Sequence, residues 1–369
     1  MLVIQRNPWE TNGIRISPFR LTAVRTGRSY PLLQMSWKIA PALAAGCTMV
    51  AKPSEVTPLT TIALVRLIDR AGVPPGVVNL IQSSGATVGS ALTDTPDVDL
   101  ISFTGGAATG ATIAGNAAKH ITRVALELGG KNPHIVFPDA ECDSAVDAVL
   151  TGAFLHSGQV CSAGTRLIVH ESIADDFVAA LAARASRIRI GPGLDPASET
   201  GPLVSEAHRA KVEAYVALGI SSGSRLVTGG ARPGDPALRA GSFYLPTIFD
   251  HCHREMRIVQ EETFGPILTV ERFSTDDQAL TLGNDTAYGL AAGVRTADPA
   301  RGERFARALR HGTVWLNDFG YYTPAAEWGG FGRSGIGREL GPSGLAEYQE
   351  TKHIWHNTAP AVGGWFTHN

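Results

Sequence analysis

From Tyr30 onward, short β-branched runs alternate with longer stretches whose apolar residues recur at helical spacing, the pattern of an α/β fold. Residues 48–52 (TMVAK) read as a buried strand; Thr57 and Pro58 then supply an N-cap and a first-turn proline to a helix that runs to Arg70 and is closed by Gly72. A strand over 77–82, a helix over 86–93, a strand over 100–104 (LISFT), a helix over 105–120 and a strand over 123–128 (RVALEL) follow. This βαβ order predicts a parallel sheet with right-handed crossovers and a ligand crevice beyond the carboxyl ends of its strands. Gly129 and Gly130 interrupt the pattern, and residues 132–137 (NPHIVF) begin a second α/β unit. Its helices are expected over 142–157, near 173–188 and near 206–218, with later strands near 267–270, 293–296 and 313–317.

Composition narrows the class. A chain of 369 residues with 44% hydrophobic and 18% charged residues describes a soluble protein of two or three domains. Its longest uncharged, mostly apolar stretch is residues 39–51, too short to span a bilayer and holding Pro41 and Gly46, so no membrane role is implied. Lys and Arg total 32 against 34 Asp and Glu, a balance that argues against nucleic acid as a partner. Four scattered cysteines, Cys47, Cys142, Cys161 and Cys252, form neither a disulfide framework nor a paired zinc site, which points to a reducing compartment, the cytoplasm. His251, Cys252 and His253 are adjacent but diverge, and they lack metal-ligand spacing.

One break stands out from these averages. Residues 1–29 carry five arginines and one acid, a charge of +4, against −6 for the 340 residues that follow within the overall −2. The segment lacks the apolar run of a secretory signal and the amphipathic period of a transit peptide. It is expected to be an altered or truncated start; an ordinary divergent segment and a targeting segment are the alternatives.

Several residues can carry chemistry. Cys161 follows a helical pattern in SGQVCSAGTR, where small neighbours leave access to the sulfur, and a thiolate attacks carbonyl carbon far better than a hydroxyl does. A lone cysteine is nonetheless more often a buried hydrophobe. Glu127 ends a strand before two glycines, where a carboxylate can face the crevice as a general base or form a salt bridge. Lys52 and Glu55 (KPSE) join a strand to a helix, suited to ribose hydroxyls or phosphate. Phe103, Thr104, Gly105 and Gly106 likewise lead into a helix whose N-terminal N–H groups suit a pyrophosphate, although residues 105–110 (GGAATG) are not the GxGxxG fingerprint.

Taken together and in order, these segments resemble the aldehyde dehydrogenases. The resemblance runs from about Tyr30 to His356 through WKIAPALAAG (37–46), KPSE (52–55), FTGG (103–106), LELGGK (126–131), GQVC (158–161), ETFGP (262–266) and SGIGRELG (334–341), with 34 residues separating Glu127 from Cys161. It implies an aldehyde dehydrogenase-like fold, with a parallel Rossmann-type NAD-binding sheet over 30–128, a second α/β catalytic domain over 129–328 and a C-terminal return and oligomerisation segment over 329–369. It implies that Cys161 attacks the aldehyde to give a thiohemiacetal and then a thioester, that Glu127 activates water for hydrolysis, and that Glu339 assists proton relay. Lys52 and Glu55 then match contacts to the adenosine ribose, Glu262 a contact to the nicotinamide ribose, and Phe264 a residue packing near the nicotinamide. Gly106 stands where many relatives have a serine. NAD is the implied cofactor because Glu55 repels a 2′-phosphate, with NADP possible.

The stretches over 317–330 (NDFGYYTPAAEWGG) and 345–354 (LAEYQETKHI) are most similar to betaine aldehyde dehydrogenases, in which aromatic rings box a quaternary ammonium. Tyr30, Trp37 and Trp328 match three box positions, while Leu155 takes a fourth where some members have an aromatic. The alternative is that these rings line a generic aldehyde tunnel. A departure precedes Tyr30: relatives have Pro-Trp-Asn, whose Asn helps bind the oxyanion, where this chain reads Gly27, Arg28 and Ser29. The family's oligomer strand falls near 351–356 and its partner hairpin upstream of Tyr30, so an altered start predicts weak association or aggregation. A non-catalytic chain that still binds dinucleotide is the competing expectation.

Overall fold

The computed structural model describes residues 14–19, 21–27 and 29–355, so Arg28 and His356 lie outside the described residues. A first strand, β1 (Ile14–Pro18), leads into five parallel strands of one sheet: β2 (Leu21–Arg25), β3 (Thr48–Lys52), β4 (Val78–Leu80), β5 (Leu100–Thr104) and β6 (Arg123–Glu127). A second sheet holds β7 (Pro133–Val136), β8 (Arg166–His170), β9 (Arg225–Thr228), β10 (Thr247–Asp250), β11 (Ile267–Phe273), β12 (Ala291–Arg295) and β13 (Thr313–Leu316). The chain then returns to the first sheet as β14 (Gly335–Ile336), antiparallel to β6, and forms β15 (Gln349–His353), antiparallel to β1.

The first sheet runs β14-β6-β5-β2-β3-β4 and the second β13-β12-β7-β8-β11-β10-β9. In the second sheet only β9 pairs antiparallel. Helices cover the sheets, so β5 and β12 are buried at every residue, which is why such strands read as unbroken apolar runs rather than alternating ones. Met35, Ile39 and Ala42 of the helix Pro31–Ala45 pack with Val24, Met49 and Ala51 beneath the first sheet. Among the described residues no helix is long and apolar enough to cross a membrane.

The structure departs from the sequence reading at the start of the chain. Residues 21–25 are a central strand rather than foreign sequence, and β1 supplies an antiparallel partner for β15 within the same chain. Thr22, Ala23 and Val24 are buried, as a middle strand requires. The arginines at 20 and 25 bracket this run rather than interrupt it, so a charge count over 29 residues concealed it. The helix Pro31–Ala45 also has no counterpart among the predicted elements. Gln34, Ser36 and Lys38 alternate with apolar residues in its first half and an unbroken apolar run around Pro41 fills its second, which blurs the helical period, yet it has clear ends: Pro31 at its first turn and Gly46 closing it at φ 86°. The helix predicted from Thr57 begins at Leu59, with Thr57 forming no cap, and residues 86–93 divide into a π turn over Gly85–Gly89 and one α turn over Ser90–Thr93.

Candidate active site

The carboxyl ends of β2, β5 and β6 open on a cavity of about 400 Å³ that extends to Cys161. Glu55, Phe103, Thr104, Gly105, Gly106, Glu262 and Phe264 all line it. Lys52 is fully buried beneath them; its Nζ lies 3.6 Å from Glu55 Oε2 and donates to the Pro53 carbonyl at 2.7 Å. The backbone N–H of Glu55 itself first, then the N–H of Gly85 and the Lys52 ammonium, hold the Glu55 carboxyl below its ordinary range against the opposing effect of burial. The helix Ala107–Ala118 starts at Gly106 with no side-chain cap and no acid in its first turn, and a Cβ on Gly106 would meet nothing within 4 Å. Its free N–H groups beside an open floor fit a pyrophosphate. At Gly129 a Cβ would collide with the Glu262 carboxylate, so the glycine after β6 is what lets that acid reach the cavity.

The cysteine loop is built by strained backbone and local bonds. The helix expected over 142–157 stops at Phe154, and His156 (φ 51°), Ser157 (φ 56°) and Gly158 (φ 68°) turn left-handed. The turn is fixed because Ser157 N–H donates to Thr200 Oγ1 at 3.0 Å and its hydroxyl donates to the Gly201 carbonyl. A Cβ on Gly158 would strike the Gly265 carbonyl, which ties the loop to the segment carrying Glu262 and Phe264. Asn132 Nδ2 donates to the Cys161 carbonyl at 2.8 Å and the Ala163 carbonyl at 3.0 Å, while its Oδ1 accepts from Ala291 N–H. One side chain thus pins the loop to β12. Burial, with Glu262 and Glu127 adding negative charge, pushes the Cys161 thiol up to about 12, against opposing N–H contacts from Ser162 and Cys161 itself. The resting group is a thiol, and attack requires a base.

Glu127 ends β6 at 4% exposure, and its Oε2 has no hydrogen-bond partner among the described residues. Burial first, and Glu339 second, hold its carboxyl well above the ordinary carboxylate range, with Lys38 and Arg338 opposing. Lys38 pairs with Glu339 and donates to Ser102 Oγ at 3.2 Å. Glu339 is held in place by a backbone bridge to Trp328, with N–H to carbonyl distances of 2.6 and 2.7 Å.

A second, smaller pocket adjoins the first across Cys161, lined by Tyr30, Trp37, Tyr322 and Trp328 together with Glu127 and Glu339. The Trp37 ring centroid lies 5.8 Å from Tyr322 and 6.3 Å from Trp328, and Tyr322 meets Trp328 edge-on at 4.9 Å. Tyr30 packs edge-on against His156 at 4.9 Å. The three predicted aromatics therefore gather at one pocket. Leu155 does not join them: it is 45% exposed and faces a groove with Leu150 and Arg187. Ser29, in the position of the expected Asn, donates its hydroxyl to the Gln159 carbonyl at 2.8 Å, so that proton is committed to the cysteine loop.

Sequence reading missed Lys38, Asn132 and Tyr322. Lys38 sits inside the quoted segment 37–46, where a charge just before an unbroken apolar run was the available signal, and Asn132 directly follows the quoted segment 126–131. Tyr322, whose hydroxyl bonds Ser162 Oγ beside Cys161, lies in a loop with no period to read.

Comparison with known proteins fits this geometry. The family model described as the aldehyde dehydrogenase family matches residues 10–354, reaching twenty residues earlier than the expected start at Tyr30. A betaine aldehyde dehydrogenase of Bacillus subtilis (strain 168) is 57% identical over 338 residues, covering 92% of this chain and 69% of that protein. Peroxisomal aminoaldehyde dehydrogenase 1 of Pisum sativum is 44% identical over 349 residues, covering 95% and 69%. The crystal structure of betaine aldehyde dehydrogenase from Staphylococcus aureus in complex with NAD+ superposes with a TM-score of 0.95 at 49% identity, over 96% of this chain and 71% of that one.

Proposed function

The chain belongs to the aldehyde dehydrogenase family, and from that premise we propose that it oxidises betaine aldehyde, or a closely related aminoaldehyde, to the carboxylate with NAD+. The observation that carries this reading is the meeting of two pockets at Cys161, one glycine-floored beside an uncapped helix end and one walled by aromatic rings. Lys52 and Glu55 hold the adenosine ribose, the N-terminus of the helix Ala107–Ala118 the pyrophosphate, and Glu262 and Phe264 the nicotinamide end. When bound there, the cofactor supplies the acceptor for the hydride lost from substrate carbon.

Cys161 Sγ bonds the aldehyde carbon while the thiol proton passes to Glu127, the buried carboxylate with a free oxygen. The oxyanion meets backbone N–H at the cysteine loop. After oxidation Glu127 takes a proton from the water that attacks the thioester, and Cys161 leaves. Glu339, held by Lys38, carries protons away from Glu127. Four free cysteines accord with a reducing compartment, and we place the protein in the cytoplasm.

The rings of Trp37, Tyr322 and Trp328 suit a trimethylammonium group, which is cationic and offers no hydrogen bond. Trp328→Leu or Trp37→Leu keeps apolar bulk and removes one ring face. Each is expected to lower kcat/KM for betaine aldehyde by about 2- to 30-fold, from ~0.5 to 2 kcal/mol per contact. Steady-state assays beside the uncharged tert-butyl analogue check this: equal losses on both substrates would remove the cation from the reading.

A further inference from the structure

Arg25 takes no part in the chemistry above, yet it lines the larger cavity beside Glu55. It ends β2, and the parallel register sets it level with Lys52 of β3 on one side and Phe103 of β5 on the other, so three side chains leave one face at the carboxyl end of the sheet. Its guanidinium stands 5.3 Å from the Phe103 ring centroid. Gly85 and Gly89 make room for it: a Cβ at Gly89 would approach Arg25 Nη1 to 2.9 Å, and one at Gly85 would collide with Nη2. The guanidinium is thus fitted into the wall of the pocket between Phe103 and the turn whose first N–H contacts Glu55.

This arrangement changes the charge at the adenosine end. With Lys52 alone, the Glu55 carboxylate is matched by one cation, and a 2′-phosphate would bring two further negative charges against it. Arg25 adds a second cation on the same face, one whose planar fork suits phosphate oxygens. We propose that Arg25 is a specificity residue that lets this chain accept the 2′-phosphate of NADP+ alongside NAD+. The proposal rests on the reading of the cavity as a dinucleotide site.

The test measures dissociation constants by titration calorimetry for NAD+, NADP+, 5′-AMP and 2′-AMP on the full chain and on Arg25→Ile and Arg25→Lys. The unaltered protein is expected to bind NADP+ within about tenfold of NAD+. Arg25→Ile is expected to raise the ratio of the NADP+ to the NAD+ constant by about 10- to 150-fold, the scale of one lost charged hydrogen-bonding group. Arg25→Lys, which keeps the charge and loses the fork, is expected to fall between; it also serves alone if Arg25→Ile lacks a native thermal transition. 2′-AMP should follow NADP+. A ratio unmoved by both substitutions, or an unaltered protein that binds NAD+ and rejects NADP+, overturns the proposal and leaves the dinucleotide site standing. A folded protein that binds none of the four nucleotides overturns the dinucleotide reading itself.

Discussion

Cys161→Ala is expected to lower turnover by about 10⁴-fold or more while the protein keeps its thermal transition and its affinity for dinucleotide. No other thiol can take over. Cys47 is buried with its sulfur 3.5 Å from the Tyr348 carbonyl, Cys252 is buried against the Phe249 carbonyl, and Cys142 opens the helix Cys142–Phe154 outside both pockets. The cysteine loop should survive the change, because its anchors are Asn132 bonding the Cys161 carbonyl and Ser157 bonding Thr200, and neither uses the sulfur. Purified variant assayed for NADH at saturating aldehyde gives the result directly, with turnover within tenfold of the unaltered protein sinking the assignment. A companion measurement is the pH dependence of thiol alkylation. A thiol pushed up to about 12 should label slowly at neutral pH and faster as pH rises, and the slow phase should vanish in Cys161→Ala.

The parallel order of the first sheet was legible because buried strands such as residues 100–104 and 123–127 are short apolar runs followed by glycines. The site was legible where function depends on residue type at the end of a strand: Glu127, Lys52 and the residues 103–106 all close strands of one sheet, so naming the strands placed them together. What escaped reading depends on contacts between distant segments. Arg25 gains meaning only from its register beside Lys52 and Phe103, which no local pattern states. Lys38 lies 301 positions from its partner Glu339, and the left-handed turn at His156 and Ser157 is held by Thr200 and Gly201, 43 and 44 positions from Ser157. The charge of the first 29 residues misled for the opposite reason, since an average over a segment cannot show that its cations lie outside the apolar core of β2.

Glu127→Gln is expected to cut steady-state turnover by about 10²- to 10⁴-fold at neutral pH, because the same carboxylate accepts the thiol proton at attack and activates water at hydrolysis. The two roles separate with pH. In the unaltered protein the working form of Glu127 is its ionised form, and burial and Glu339 raise its pKa, so turnover should climb as pH rises through that raised value rather than level off in the ordinary carboxylate range. Glutamine keeps the size and cannot ionise, so this rise should be lost. As pH is taken toward the raised pKa of Cys161, thiolate forms without a neighbouring base, and a burst of NADH should return in the variant while the steady rate after it stays low, since water still lacks a base beside the thioester. Stopped-flow traces across the pH range, with acid-quenched protein weighed by mass spectrometry for the trapped acyl group, resolve the two phases. Recovery of the steady rate in step with the burst would confine Glu127 to the thiol, and turnover at the unaltered rate at neutral pH would remove it from both steps.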